Sequence, residues 1–341
     1  MSSRNWITAG SLVVAMSTFA GAAPAGDMPG EGKTVTPARA SWDTFWFGGT
    51  VLQVALEKLG YTVEDPKTLN NPARYPALAA GDIDYETDTV MPNATAFVEK
   101  VSEQVVLLGP VMNPGSIQGY LVDRKTADAN GITSVDDLKK PEVVKLFDSD
   151  NDGKAELTGC NPGWNCEGII NHHIGVYGLG DTVEHIQGEY NVLVGDAVAR
   201  YKAGESVLLY AWYPNTATVQ MLPDQDLVWL QVSHTDLPSG KKDTSLPGIQ
   251  GCAGGADPCN TGWSATEYYV AANREWLADN PAAAKLFEMA RIGLEDRVVQ
   301  NIAMKNGEDS EKDLRRHAEE WIDRNQAEFD GWIAAARAAS N

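Results

Sequence analysis

Apolar and polar positions alternate between two rhythms along this chain. Residues 34–39 read as an extended start, and Ser41–Phe47 leads into a helix that runs through Val51–Leu59 and stops at Gly60, a residue type suited to a helix C-cap. Tyr61–Val63 begins the next strand. Short apolar runs predict strands at Gln104–Leu108, Gln118–Asp123, Ser206–Ala211, Leu227–Val232 and Glu267–Ala272, with helices over Arg74–Ala80 and Val135–Leu146. Pro281–Ala339 reads as nearly all helical. Strands alternating with helices predict an α/β fold whose sheets are covered on both faces. Two such lobes with a cleft between them would bind a ligand beyond the carboxyl ends of the strands.

The first residues change the picture. Arg4 is followed by an apolar run, Ile7–Ala20, and by the small-x-small site Ala20-Gly21-Ala22. These three parts are those of a secretory signal peptide over 1–22, with cuts after Ala23 or Ala25 as variants. The run is too short for a membrane anchor, which needs about 20 apolar residues. Removal of the leader leaves 341 − 22 = 319 residues, enough for two lobes. The formal net charge of −20 becomes −20 − 1 = −21 without Arg4. So acidic a chain repels nucleic acid and anionic lipid, which removes both as partners. A periplasmic monomer is expected.

Export makes disulfides permissible. Cys160, Cys166, Cys252 and Cys259 allow three pairings, of which the local ones, Cys160–Cys166 and Cys252–Cys259, are expected. A zinc site built from all four is the rival, though paired zinc ligands usually stand two to four residues apart. The five histidines form no His-Glu-x-x-His motif, and neither a Gly-x-Ser-x-Gly elbow nor a Gly-rich phosphate loop occurs, so an enzyme is not expected. The adjacent His172 and His173 read as packing and surface residues of a helix. Asp148, Asp150 and Asp152, then Gly153, Lys154 and Glu156, match the first part of an EF-hand loop. Its closing bidentate glutamate is absent, since Gly159 stands there. A structural Ca²⁺ is expected on these residues, against a plain Asx-rich turn.

Phe147-Asp-Ser-Asp-Asn-Asp-Gly-Lys-Ala-Glu-Leu-Thr-Gly-Cys-Asn-Pro-Gly-Trp-Asn-Cys-Glu-Gly168 closely resembles the glycine betaine/proline betaine-binding proteins of ABC importers. So do Ala55–Tyr61, Gly119–Asp123, Val228–Val232 and Asn280–Phe287, so the resemblance covers nearly the whole mature chain in order. It implies a type II periplasmic-binding fold, with lobe I formed by 27–118 plus 262–341 and lobe II by 119–261. In that family three tryptophans box the ligand. Two match Trp164 and Trp212; the third falls at Val90, and a histidine that helps hold the carboxylate falls at Ala94. Trp42 and Trp46, in the loop before the first helix, and Trp263, at the return crossover, are candidates to rebuild the wall. This layout is similar to a branch of the family that takes trimethylamine N-oxide.

The chemistry explains why tryptophans matter. A quaternary ammonium cannot donate a hydrogen bond, so aromatic faces suit it, each worth roughly 0.5–2 kcal/mol. The resemblance assigns the anionic end to the backbone N–H groups of Asn165 and Cys166. Glu167 is either a cleft group or a carboxylate favouring the helix N-terminus. Glu86 and Asp88 are either counter-charges to the ammonium or solvated strand-end carboxylates. Trp229, Trp276, Trp321 and Trp332 fall in apolar patterns and are expected to be packing residues. The implied function is capture of trimethylamine N-oxide for delivery to the permease and ATPase of an ABC importer. Glycine betaine or proline betaine is the alternative ligand, and a ligand-sensing periplasmic input protein the alternative role. With five heavy atoms, trimethylamine N-oxide could reach about −7.5 kcal/mol, near micromolar.

Overall fold

A computed structural model describes residues 28–113 and 115–340. The signal peptide expected over 1–22 lies outside the described residues. The strands are β1 (Thr34–Val35), β2 (Pro37–Ala40), β3 (Thr62–Val63), β4 (Lys67–Leu69), β5 (Tyr85–Met91), β6 (Val105–Met112), β7 (Ile117–Asp123), β8 (Ala155–Thr158), β9 (Val183–Ile186), β10 (Leu208–Tyr213), β11 (Leu227–Trp229) and β12 (Glu267–Asn273). Two mixed five-stranded sheets result. One has the order β4-β2-β5-β12-β6, the other β11-β7-β10-β8-β9, and β1 pairs with β3 apart from both. The chain leaves the first sheet after Met112, enters the second at Ile117 and returns between Trp229 and Glu267. The two crossovers touch: Gly115 N–H donates to the Thr266 carbonyl at 2.8 Å and Ser116 N–H to Thr266 Oγ1 at 2.8 Å.

Three local features show how sequence sets these elements. The helix Asn71–Ala80 starts where the Asn70 side chain accepts from Ala73 N–H and ends at Gly81, whose φ of 78° favours glycine. The continuous helix predicted over Val135–Leu146 is instead a 3₁₀ turn, Val135–Lys139, and a short helix, Pro141–Val144. Proline forces the residue before it out of the helical region, and Lys140 is extended (ψ 123°). The strand expected over Leu227–Val232 stops at Trp229.

A central strand, β5, escapes the apolar pattern altogether. Its Glu86, Thr87, Asp88 and Thr89 are polar, yet each is at most 1% exposed. The helices Pro281–Met289, Leu294–Lys305, Glu311–Arg324 and Gln326–Ala338 supply much of the first core, with Trp321 stacked on Trp332 and Trp276 on Phe287. Trp229 is buried in the second core. No described helix is long and apolar enough to cross a membrane.

Candidate functional site

Antiparallel register brings the site together. Tyr268 near the start of β12 lies opposite Val90 near the end of β5, and Gln118 near the start of β7 lies opposite Trp212 near the end of β10. Directly opposed residues share a face of the sheet. Both pairs therefore line one cavity between the sheets, together with Trp42, Asn71, Asn93, Ser116, Trp164, Asn165, Cys166 and Tyr210. The empty space in it, open mouth included, is about 450 Å³. None of these lining residues is an acid, a base or a histidine.

Aromatic surface dominates. Trp42 meets Trp164 edge-on at 5.0 Å between ring centroids, and Trp164 lies 6.3 Å from Trp212. Tyr190 stacks behind Trp212 at 4.7 Å and fixes its plane. The indole N–H groups are taken: Trp164 Nε1 donates to Ser41 Oγ at 3.3 Å, and Trp212 Nε1 to Thr44 Oγ1 at 3.2 Å. Both bonds cross from the second lobe to the loop before the first helix of the first. Asn93 Nδ2 donates to Gln118 Oε1 across the same gap at 3.0 Å. Trp42 even joins the core cluster of the second lobe. The lobes are thus closed on each other.

A buried polar cluster underlies one wall. The Arg74 guanidinium sits 5.0 Å from the Trp42 ring centroid, and its Nε is 3.3 Å from Glu86 Oε2, with both side chains fully buried. Asn71 Oδ1 accepts from Arg74 at 2.9 Å. Thr89 Oγ1 donates to Glu86, and Asp88 Oδ2 accepts from Ala40 N–H. Burial, with Glu86 nearby, pushes the Asp88 carboxyl up to about 6, against the pull of Arg74 and the Ala40 N–H. Burial depresses the Arg74 pKa, but Glu86 and its other neighbours more than offset this, and it stands above the ordinary value. Glu86 and Asp88 are therefore neither solvated strand-end carboxylates nor cavity groups: they face Arg74, one layer behind the cage.

The structure brings together Trp42, Trp164, Trp212, Asn165 and Cys166, but not three other candidates. Trp46 points away: Arg39 stacks 3.7 Å over its ring, and its Nε1 donates to the Ala40 carbonyl. Trp263 is 1% exposed and packs behind Tyr210 at 4.7 Å, backing the wall instead of forming it. Glu167 folds back to accept from Gly163 N–H at 2.6 Å and braces the loop that carries Trp164. The sequence reading missed Tyr210, Tyr268, Asn71, Asn93, Ser116 and Gln118. Period-two alternation could have found Tyr210, which shares a face of β10 with Trp212.

The loop bearing Trp164 is pinned at both ends by Cys160–Cys166, and Cys252–Cys259 also forms. No described cysteine is free, so the zinc alternative has no thiolates. His172 Nε2 lies 2.9 Å from Asp236 Oδ1, and buried His173 bonds the Tyr120 hydroxyl through Nδ1. Carboxylate oxygens of Asp148 and Asp150, in the loop before β8, and of Glu156 on β8 gather within 4.8 Å of one another, as do those of Asp150, Asp152 and Glu184 on β9. Asp148 and Asp152 also accept the N–H groups of Gly153 and Lys154, while Lys154 Nζ reaches the Gly180 carbonyl.

Comparison with known proteins agrees with this arrangement. Residues 33–324 match the family described as the substrate binding domain of an ABC-type glycine betaine transport system. The chain is 42% identical over 337 residues to the glycine betaine-binding periplasmic protein OusX of Dickeya dadantii, covering 96% of this chain and 97% of that one. It is 40% identical over 335 residues to the glycine betaine/proline betaine-binding periplasmic protein of Escherichia coli, covering 97% of each. The fold is similar to that of lactococcal OpuAC in its closed form with glycine betaine (TM-score 0.66, 20% identity, 88% and 99% of the chains). It is equally similar to that of a choline-binding protein complexed with choline (TM-score 0.66, 17% identity, 90% and 98%). The protein is therefore not an enzyme: the chain belongs to the family of substrate-binding domains of ABC-type glycine betaine transport systems.

Proposed function

We propose that the protein captures a small zwitterionic methylated amine of the glycine betaine or proline betaine type in the periplasm and hands it to the permease and ATPase of an ABC importer. The observation that carries this is the cage: Trp42, Trp164 and Trp212 around a cavity with polar but uncharged lining. Such a cavity suits a ligand that brings both charges itself. The methylated ammonium would meet the ring faces, and the anionic end the N–H groups of Asn165 and Cys166 at the start of the helix Asn165–Val176. The names of the relatives, matched over nearly their whole length, support the same ligand class and a periplasmic location.

A second reading, trimethylamine N-oxide, is favoured by Val90 and Ala94, which stand where the family has a tryptophan and a histidine. A box whose third indole comes from Trp42 instead, and which has no imidazole, suits a smaller anionic end. A ligand-sensing input protein would use the same cage but dock on a receptor; neighbouring permease and ATPase genes separate the two roles. We further propose that Asp148, Asp150, Asp152, Lys154 and Glu156 hold a structural Ca²⁺ that braces the loop leading to Trp164.

Calorimetric titration with glycine betaine, proline betaine and trimethylamine N-oxide tests the ligand. The betaines are expected to bind more tightly than the N-oxide. Trp212→Ala should weaken binding about tenfold or more, roughly 1.4 kcal/mol, while Trp46→Ala stays within about twofold. Preference for the N-oxide would hand the case to the second reading. Unchanged affinity in Trp212→Ala would remove the cage.

A further inference from the structure

Arg297, on the helix Leu294–Lys305, is 0% exposed. Its Nη2 donates to Ser116 Oγ at 2.9 Å, and the guanidinium lies 4.8 Å from the Tyr268 ring centroid. Its Nε and Nη1 have no hydrogen-bond partner. A guanidinium buried this deeply costs several kcal/mol unless an anion or acceptors answer it. The Tyr268 hydroxyl answers it in part, and Asp88 acts on it through space.

The groups in front of Arg297 are donors as well. Ser116 Oγ lies 3.2 Å from the Tyr268 hydroxyl, and one proton bridges them. Two hydroxyls carry two protons, so the other O–H is free to donate elsewhere. Gln118 Oε1 accepts from Tyr210 Oη at 2.7 Å and from Asn93, which fixes the amide so that Nε2 carries the free donors. That Nε2 is buried without a partner. Ser116, Gln118 and Tyr268 all line the cavity. One wall thus has a surplus of donors, a cation behind it and no acceptor to match.

We propose that this wall, Ser116 Oγ, Tyr268 Oη and Gln118 Nε2 backed by Arg297, receives an anionic oxygen of the ligand and makes the site select zwitterions over plain tetraalkyl cations. The inference rests on the methylated-amine reading above and adds to it a second set of donors. A carboxylate offers about four lone-pair sites, and the two N–H groups of Asn165 and Cys166 fill only two. Arg297 need not touch the ligand. By donating to Ser116 it turns that hydroxyl into a donor, and its charge favours negative potential at the wall. Ser116 sits in a crossover, whereas Tyr268 and Gln118 come from different sheets, so the wall is complete only when the lobes are closed.

Ser116→Ala and Tyr268→Phe each remove one hydroxyl and keep the packing. Both are titrated with glycine betaine, trimethylamine N-oxide and tetramethylammonium, which has the methyl groups but no oxygen. Each variant is expected to lose roughly tenfold in affinity for the zwitterions and to leave tetramethylammonium unchanged. Arg297→Met should show the same selective loss, and Arg297→Lys should recover part of it. Zwitterion affinities within twofold of wild type in both hydroxyl variants would overturn the proposal, and so would an equal loss for all three compounds. Wild-type protein that binds none of them would defeat the methylated-amine reading itself, and this inference with it.

Discussion

Single side chains in this protein do unlike jobs at close range. Trp164 and Trp212 spend their indole N–H groups across the cleft and keep their faces for the cavity. Behind Trp42, burial and then the Glu86 charge raise the Asp88 pKa to about 6, against the lowering pull of Arg74, the Ala40 N–H and Arg39. The ordinary carboxylate value is near 4. Between those two values the folded chain keeps the Asp88 proton while the unfolded chain has released it. Raising pH through that window therefore favours unfolding, by on the order of 1 kcal/mol per unit for this group. Asp88→Asn should flatten the fall in stability between roughly pH 4 and pH 6, measured by denaturant melts. Stability curves that stay parallel would show that Asp88 titrates normally. Residues such as Asp88 and Glu86 were illegible in the sequence because four consecutive polar residues look like surface. The Arg74 charge beside Glu86 and the hydrogen bonds to Glu86 and Asp88 offset much of the cost of burying them. Trp46 misled in the opposite direction: an indole beside the cleft loop reads as a cage wall, but Arg39 covers its face.

At the scale of elements, the legible ones were those whose apolar period is clean. The helix Trp46–Lys58, strand β7 and the C-terminal helices follow the predicted stretches closely. Strand β5 was hidden by its buried polar residues, and a proline split the helix predicted over Val135–Leu146. The Trp164 loop was legible for another reason: closely spaced cysteines flank a tryptophan, and short-range features survive without tertiary knowledge. Its acidic neighbour carries a prediction of its own. Glu156 on β8 lies in register with Glu184 on β9, so the loop carboxylates face two adjacent strands. If Ca²⁺ joins them, EGTA should lower the melting temperature by several degrees and added Ca²⁺ should restore it. Asp150→Asn should abolish the effect. A melting curve indifferent to chelator and to Ca²⁺ would leave only an Asx-rich turn.

For the whole molecule, the direct bonds between lobes set the balance between open and closed forms. Trp212 to Thr44, Trp164 to Ser41 and Asn93 to Gln118 join the two lobes directly. Ligand binding is coupled to closure because it favours the state that completes the cage. Thr44→Val removes one acceptor without touching the ring faces. It should lower affinity by roughly two- to tenfold by reducing the closed population. Small-angle scattering of the ligand-free variant should give a larger radius of gyration than wild type. An unchanged radius and unchanged affinity would mean that this bond does not govern closure. The path of the chain has one more effect, on how the molecule is made. The first lobe is assembled from both ends of the described chain: β5 pairs with β12, and the helix Trp46–Lys58 packs on Glu311–Arg324. The middle segment can fold as soon as it leaves the ribosome, whereas its partner must wait until the last helices have been synthesised. Until those helices are made, then, the nascent polypeptide carries a half-finished first core, and its apolar strands must be kept from pairing elsewhere.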